Sequence, residues 1–147
     1  MTTLFIKNEL PDVAKKILEK VSFLASSRAE VVTLSGDLGA GKTTLSKEIA
    51  AQLGVKENVI SPTFVIMKNY AIKNQNYKWK NLVHIDAYRL ADSNELKKLG
   101  WDKILSDKNN LILIEWSELV PECIPKDNVC RVNLSHVSEG ERGVEIK

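Results

Sequence analysis

The sequence predicts a single α/β domain, and three observations predict it. A β-branched run, Val31-Val32-Thr33-Leu34, leads through a glycine-rich turn into a helical stretch that stops at Gly54. Leu111-Ile112-Leu113-Ile114 is an uninterrupted apolar run, the mark of a central strand covered on both faces. Helical and strand periods alternate along the chain, with no internal repeat, low-complexity segment or linker between them. At 147 residues, 44% hydrophobic and 27% charged, the chain suits one packed domain spanning 1–147.

The elements follow in order. Leu4-Phe5-Ile6 reads as a short strand. Leu10, Val13, Ala14, Ile17, Leu18, Val21 and Leu24 then recur at helical spacing, with Pro11 in the first turn, where its missing N–H costs little. The strand at 31–34 precedes a helix that starts near Lys42 and carries Leu45, Ile49, Ala50 and Leu53 on one face. Phe64–Ile72 and Tyr77–Ile85 read as two strands of an antiparallel hairpin, joined by Lys73-Asn74-Gln75-Asn76. Ser93 to Leu105 reads as short helical turns, with Ser93 as the cap and Gly100 as a break. Val129–Leu134 and Gly143–Ile146 form a closing hairpin around Glu139-Gly140-Glu141-Arg142.

Charge narrows the class. Lys and Arg number 21 against 19 Asp and Glu, a net charge of +2, which excludes a strongly basic nucleic-acid wrapper or an acidic tail but leaves room for a local basic patch. No run approaches 18 apolar residues, and the stretch Met1 to Lys7 lacks the pattern of a signal peptide. A cytoplasmic chain without a membrane segment is the expectation. Cys123 and Cys130, the only cysteines, have no CxxC or Cys/His cluster around them and read as reduced thiols in or near a strand. His84 and His136 are too few for a metal centre.

Chemistry concentrates in Gly36-Asp37-Leu38-Gly39-Ala40-Gly41-Lys42-Thr43, which fits G-x-x-x-x-G-K-[ST]. By average residue usage such a match arises in roughly a few random windows per 100,000, so a strand–loop–helix context makes chance an inadequate account. Backbone N–H groups must turn inward and approach phosphate oxygens without Cβ interference, which explains the glycines. Lys42 then reaches the β- and γ-phosphates, the Thr43 hydroxyl is a ligand for Mg²⁺, and the helix start adds its positive end. The nucleotide-binding set is Gly36, Asp37, Leu38, Gly39, Ala40, Gly41, Lys42, Thr43 and Thr44.

A phosphate loop of this kind needs a carboxylate at the end of a neighbouring strand. Glu115 closes the apolar run 111–114, and Asp86 closes Val83-His84-Ile85. Both acids fall where open α/β sheets bind ligands, so Lys42, Asp86 and Glu115 are the candidate catalytic residues and Thr43, Asp86 and Glu115 the candidate metal ligands. Either acid can bind Mg²⁺ directly or through water, or orient the attacking water. Ser61-Pro62-Thr63-Phe64 offers two hydroxyls near the phosphate end and reads as a switch that senses the γ-phosphate.

Together, G-D-L-G-A-G-K-T-T at 36–44, S-P-T-F at 61–64, H-I-D-A-Y-R-L at 84–90 and I-E-W at 114–116 resemble the TsaE (YjeE) family of small bacterial ATPases of tRNA threonylcarbamoyladenosine synthesis. Order, spacing and length agree over nearly the whole chain. The first motif is common to phosphate-loop proteins, whereas the other three are quite family-specific. The resemblance implies a three-layer α/β/α P-loop NTPase fold with a mixed parallel and antiparallel sheet. It implies ATP binding and slow hydrolysis with Mg²⁺, in support of turnover by TsaD-like and TsaB-like partners, with tRNA reached through that complex. It carries Lys42 over as phosphate ligand, Thr43 as Mg²⁺ ligand, Asp86 and Glu115 as the metal and water-orienting acids, and Ser61 to Thr63 as switch-like. Trp116 matches a family aromatic and joins the switch candidates. Where the family often has a Thr near the base, this chain has Leu10, Pro11 and Asp12, so no adenine contact is assigned there.

Three rival readings remain at this stage. A small P-loop kinase needs an Arg-rich lid, and the chain has only Arg28, Arg89, Arg131 and Arg142. A GTPase lacks its N-K-x-D guanine-recognition sequence. A nucleotide-gated binding module without significant turnover draws on Lys68, Lys73, Lys78 and Lys80, interleaved with Tyr70, Tyr77 and Trp79, a basic and aromatic hairpin of the kind that contacts RNA.

Overall fold

The structure is a computed structural model that describes residues 2–24, 27–37, 39–62 and 65–147. Seven strands form one sheet: β1 (Thr3–Ile6), β2 (Glu30–Ser35), β3 (Met67–Ala71), β4 (Asn81–Asp86), β5 (Asn110–Glu115), β6 (Val129–His136) and β7 (Glu141–Ile146), in spatial order β1-β7-β6-β2-β5-β4-β3. The inner strands β6, β2, β5 and β4 run parallel. β3 adds antiparallel at one edge, and β7 followed by β1 at the other. The sheet is therefore mixed, as expected.

Side-chain alternation divides the sheet into two cores. On one face Val32, Leu34, Leu111, Leu113, Cys130 and Val132 pack beneath α1 (Leu10–Ser22) and α2 (Lys42–Gln52), which contribute Ile17, Leu18, Leu45 and Ile49. On the other, Val31, Val83, Ile85, Ile112 and Ile114 pack against Leu96 of α3 (Ser93–Lys98) and Trp101 of α4 (Trp101–Ser106). Helices on both faces make three layers, α/β/α. β5 is buried at every position, which accounts for its unbroken apolar sequence.

Several sequence expectations are corrected. Phe64 lies outside the described residues, and the hairpin strands are shorter than Phe64–Ile72 and Tyr77–Ile85. Ile66 has φ 69°, outside the strand region, and residues 77–80 belong to the connection rather than to β4. That connection is drawn inward by Trp79, which is 2% exposed and donates its indole N–H to the buried carboxylate of Glu30. Tyr77 stacks on Trp79 with ring centroids 5.9 Å apart, and Tyr70 is buried. Tyr70 and Trp79 thus serve the core and are unavailable to stack on bases, whereas Tyr77 is half-buried. The cap of α3 is Asp92, whose side chain accepts from the Glu95 N–H at 3.2 Å; Ser93 is the first helical residue and instead donates to Glu122. Cys130 lies in β6, but Cys123 sits in a 3₁₀ turn; both are free thiols.

Candidate nucleotide site

Strand β2 ends at Ser35, and the chain turns over the sheet edge before entering α2. Gly36, Gly39 and Gly41 have φ of 142°, 83° and 104°, conformations that side chains rarely adopt. At Gly36 a Cβ would overlap the Leu134 carbonyl oxygen of β6, so glycine is required there by close approach as well as by conformation. The Ala40 N–H closes a turn on the Asp37 carbonyl at 2.9 Å. Gly41 caps α2 without a side-chain acceptor, so the first backbone N–H groups of this eleven-residue helix have no capping side chain, the usual setting for an anion.

The loop opens onto a cavity of about 430 Å³ lined by Gly39, Gly41, Lys42, Thr43, Thr44, Ser61, Asp86, Tyr88, Glu115 and Trp116. Lys42 is buried, and its ammonium donates to the carbonyls of Gly36 and Asp37, the latter at 3.4 Å, while lying 4.6 Å from the Trp116 ring centroid. Trp116 has φ 59° and tilts against Tyr88, with centroids 5.2 Å apart. The buried acids Asp86 and Glu115 end β4 and β5 and are direct register partners. They share the α2 face of the sheet with Leu82 and His84, and with Leu111 and Leu113, by strict alternation. Asp86 Oδ1 accepts the Tyr88 N–H at 3.0 Å, and Glu115 Oε2 meets His84 Nε2 at 2.8 Å.

Most of the residues singled out from sequence therefore converge on this cavity. Gly36 and Asp37 enter through their carbonyls to Lys42, and Ala40 is buried in the core beneath the loop. Leu38 and Thr63 lie outside the described residues. Pro62 is buried, and its carbonyl accepts from the N–H groups of Val65 at 3.1 Å and Ile66 at 2.6 Å. The Ile66 carbonyl in turn accepts the Asp86 N–H at 2.8 Å, so the segment that carries Ser61 is tied to the end of β4.

Two participants were not identified from sequence. Tyr88 and His84 both lie in the run 84–90, but the sequence assigns neither a role beyond the observation that two histidines are too few for a metal centre. The signal was available in the period of β4: Leu82, His84 and Asp86 alternate onto one face, so a polar residue there must meet the acids.

The donor set fits Mg²⁺. Among the described residues no group of three His, Cys, Asp or Glu side chains forms a closed metal cage. A hydroxyl at a helix start and two carboxylates at adjacent strand ends instead suit a hard cation that takes its remaining oxygens from phosphate and water. A second cavity of about 450 Å³, lined by Phe5, Lys7, Leu10, Ala40, Gly41, Thr44, Glu139, Gly140 and Arg142, shares Gly41 and Thr44 with the first.

Fold and site together define a three-layer α/β protein with a glycine-rich loop, leading into a helix, at the carboxyl edge of its parallel strands. The family described as threonylcarbamoyl adenosine biosynthesis protein TsaE matches residues 7–144, and the chain belongs to that family. It is similar to the tRNA threonylcarbamoyladenosine biosynthesis protein TsaE of Rickettsia typhi, 39% identical over 119 residues, covering 80% of this chain and 77% of that one. The protein of the same name from Haemophilus influenzae is 36% identical over 132 residues, covering 90% and 78%. The crystal structure of Bacillus subtilis YdiB superposes with a TM-score of 0.69 at 28% identity, over 99% of this chain and 83% of that one. Among the described residues no helix is long and apolar enough to cross a membrane.

Proposed function

We propose that the chain binds ATP with Mg²⁺ and hydrolyses it slowly, serving the synthesis of threonylcarbamoyladenosine in tRNA. One observation carries the reading. A single cavity is lined by the start of α2, the Lys42 ammonium, the Thr43 hydroxyl and the paired acids of β4 and β5. The loop N–H groups and Lys42 bind the β- and γ-phosphates. Thr43 and one of the two acids would hold the cation, which would supply positive charge against the phosphates. The other acid orients water. The water oxygen then bonds to the γ-phosphorus as the bond from that phosphorus to the β–γ bridging oxygen breaks; ATP⁴⁻ and water give ADP³⁻ and H₂PO₄⁻, with both water protons ending on the released phosphate. Base and ribose extend past Gly41 and Thr44 into the second cavity, where Phe5 and Leu10 offer apolar contact.

Ser61 to Thr63 and Trp116 respond to the γ-phosphate in this reading. Ser61 and Trp116 line the cavity, and the chain beyond Pro62 is hydrogen-bonded to the end of β4. Family membership supports the pathway; in this reading the chain works beside TsaD-like and TsaB-like proteins in the cytoplasm, with tRNA engaged through that complex. Among the described residues no arginine lines the first cavity, which holds the γ-phosphate in this reading, and phosphate-loop ATPases gain roughly 10³–10⁵ in rate from such a charge. Turnover by the isolated chain is therefore slow. The test is calorimetric titration with ATP and Mg²⁺, followed by tRNA modification reconstituted with TsaD-like and TsaB-like proteins. ATP binding, slow hydrolysis alone, and loss of multiple turnover when this chain is omitted are expected. Absence of ATP binding, or fast hydrolysis by the isolated chain, overturns the reading.

A further inference from the structure

Glu115 is held by a side chain for which the nucleotide site has no direct use. His84 is 1% exposed, does not line the cavity, and places Nε2 2.8 Å from Oε2 of Glu115, itself 3% exposed. The contact is a diagonal one across parallel strands. The register pairs His84 with Leu113 and Asp86 with Glu115, so the imidazole lies one same-face step behind the acids. Its other ring nitrogen, Nδ1, is buried and has no hydrogen-bond partner among the described residues. A carboxylate offers only acceptors, so the nitrogen facing it carries the hydrogen.

Packing alone does not account for a histidine here. The other inner positions of β4 and β5 on this face are Leu82, Leu111 and Leu113, and a leucine at 84 would continue that layer without a bare ring nitrogen. What a leucine cannot do is donate to Glu115. Burying a carboxylate without a donor is costly, and one at the floor of a cavity then turns toward whichever donor it can reach.

We propose that His84 is a positioning residue: its Nε2–H holds Oε2 of Glu115 and so leaves the second carboxylate oxygen for the cavity, where water is oriented against the γ-phosphate. This rests on the reading of Glu115 as the water-orienting acid. The imidazole touches neither nucleotide nor water, so its removal acts on the chemical step and spares binding. A displacement of about 1 Å in a reacting group costs on the order of 100-fold in rate.

The test compares His84→Leu, His84→Gln, Glu115→Gln and the double variant His84→Leu/Glu115→Gln. Single-turnover hydrolysis is measured beside the ATP dissociation constant from calorimetry and the melting temperature. The expected result for His84→Leu is a 10- to 100-fold slower step, with ATP affinity within about threefold. His84→Gln, whose amide nitrogen reaches where Nε2 lies, recovers most of the rate. The double variant is no slower than Glu115→Gln alone, because nothing remains to be positioned. An imidazole ¹⁵N spectrum of the nucleotide-free protein shows hydrogen on Nε2. The proposal is overturned by an unchanged rate in His84→Leu, by a Gln variant as slow as the Leu variant, by additive losses in the double variant, or by a bare Nε2. If Glu115→Gln itself hydrolyses at the wild-type rate, the reading of Glu115 falls and the proposal with it. If that variant is slow and His84→Leu is not, only the proposal falls.

Discussion

Asp86 and Glu115 are register partners at the last positions of adjacent parallel strands, both buried and both on the face covered by α2. Nearly thirty positions apart in sequence, they reach one cavity because β4 and β5 end level with each other, beside the loop that follows β2. Lys42 approaches the same cavity from the first turn of α2. Lys42 and the two acids thus line one space.

Lys42→Ala removes the cation from that arrangement. Charge-assisted hydrogen bonds contribute about 1.5–3 kcal/mol each, so ATP affinity measured by calorimetry falls at least 10-fold and by 100-fold or more where two phosphates are contacted. Unchanged affinity is incompatible with the site assignment.

Glu115→Ala leaves the loop, Lys42 and Thr43 in place. ATP binding is retained within a few-fold, while hydrolysis slows by about 10²–10⁴, the usual contribution of a positioned acid or base. Parallel calorimetry and phosphate-release assays distinguish the two effects.

Gly36→Ala tests the close approach of the loop to β6. A methyl group there meets the Leu134 carbonyl oxygen, in a backbone conformation with φ 142°. Strain of about 1–3 kcal/mol is expected, read as a lower urea midpoint with unchanged slope. A wild-type midpoint would show that the loop is not held against β6.

Trp79→Ala separates a structural hairpin from an RNA-binding one. Truncating a buried aromatic costs about 3–5 kcal/mol, and the Glu30 carboxylate keeps only Lys78, at 2.5 Å. Stability falls sharply, while the salt dependence of any tRNA affinity is unchanged because the ring is buried. A folded variant with selectively weaker tRNA binding would reinstate the ring as a base-stacking platform.

The thiols report on burial. Desolvation pushes Cys130 up to about 11 and raises Cys123 as well. At pH 8 both react slowly with iodoacetamide in the native protein and rapidly in urea. A raised folded value stabilises below the unfolded one, near 9, and that contribution is lost as pH rises toward 11. Wild type therefore loses more stability over this interval than Cys130→Ala, measured by urea denaturation at each pH. Equal losses would show that Cys130 is not desolvated.

Local sequence carried most of what periodicity and turn chemistry can encode. The glycine loop needs backbone freedom, the helix after it needs amphipathic spacing, and the β5 run needs burial on both faces; each is a short-range requirement written in consecutive residues. Strand ends next to acids were legible for the same reason. The cap at Asp92 rather than Ser93 was not, because both residue types cap helices and the choice fell to the Ser93–Glu122 hydrogen bond across to a distant turn. The length of the β3–β4 connection was hidden too, since Trp79 reads as a strand residue until Glu30 supplies its partner.

By itself, then, the sequence determined the α/β class, the glycine-rich loop before a helix and the two acids at strand ends. Only the tertiary structure decided that those acids stand side by side, that β1 pairs with β7 at the sheet edge, and that His84 meets Glu115. The physical reason is the range of the interactions. Helical spacing and loop conformation are set within a few residues, whereas strand register and buried polar pairing depend on which distant segments the two cores bring into contact.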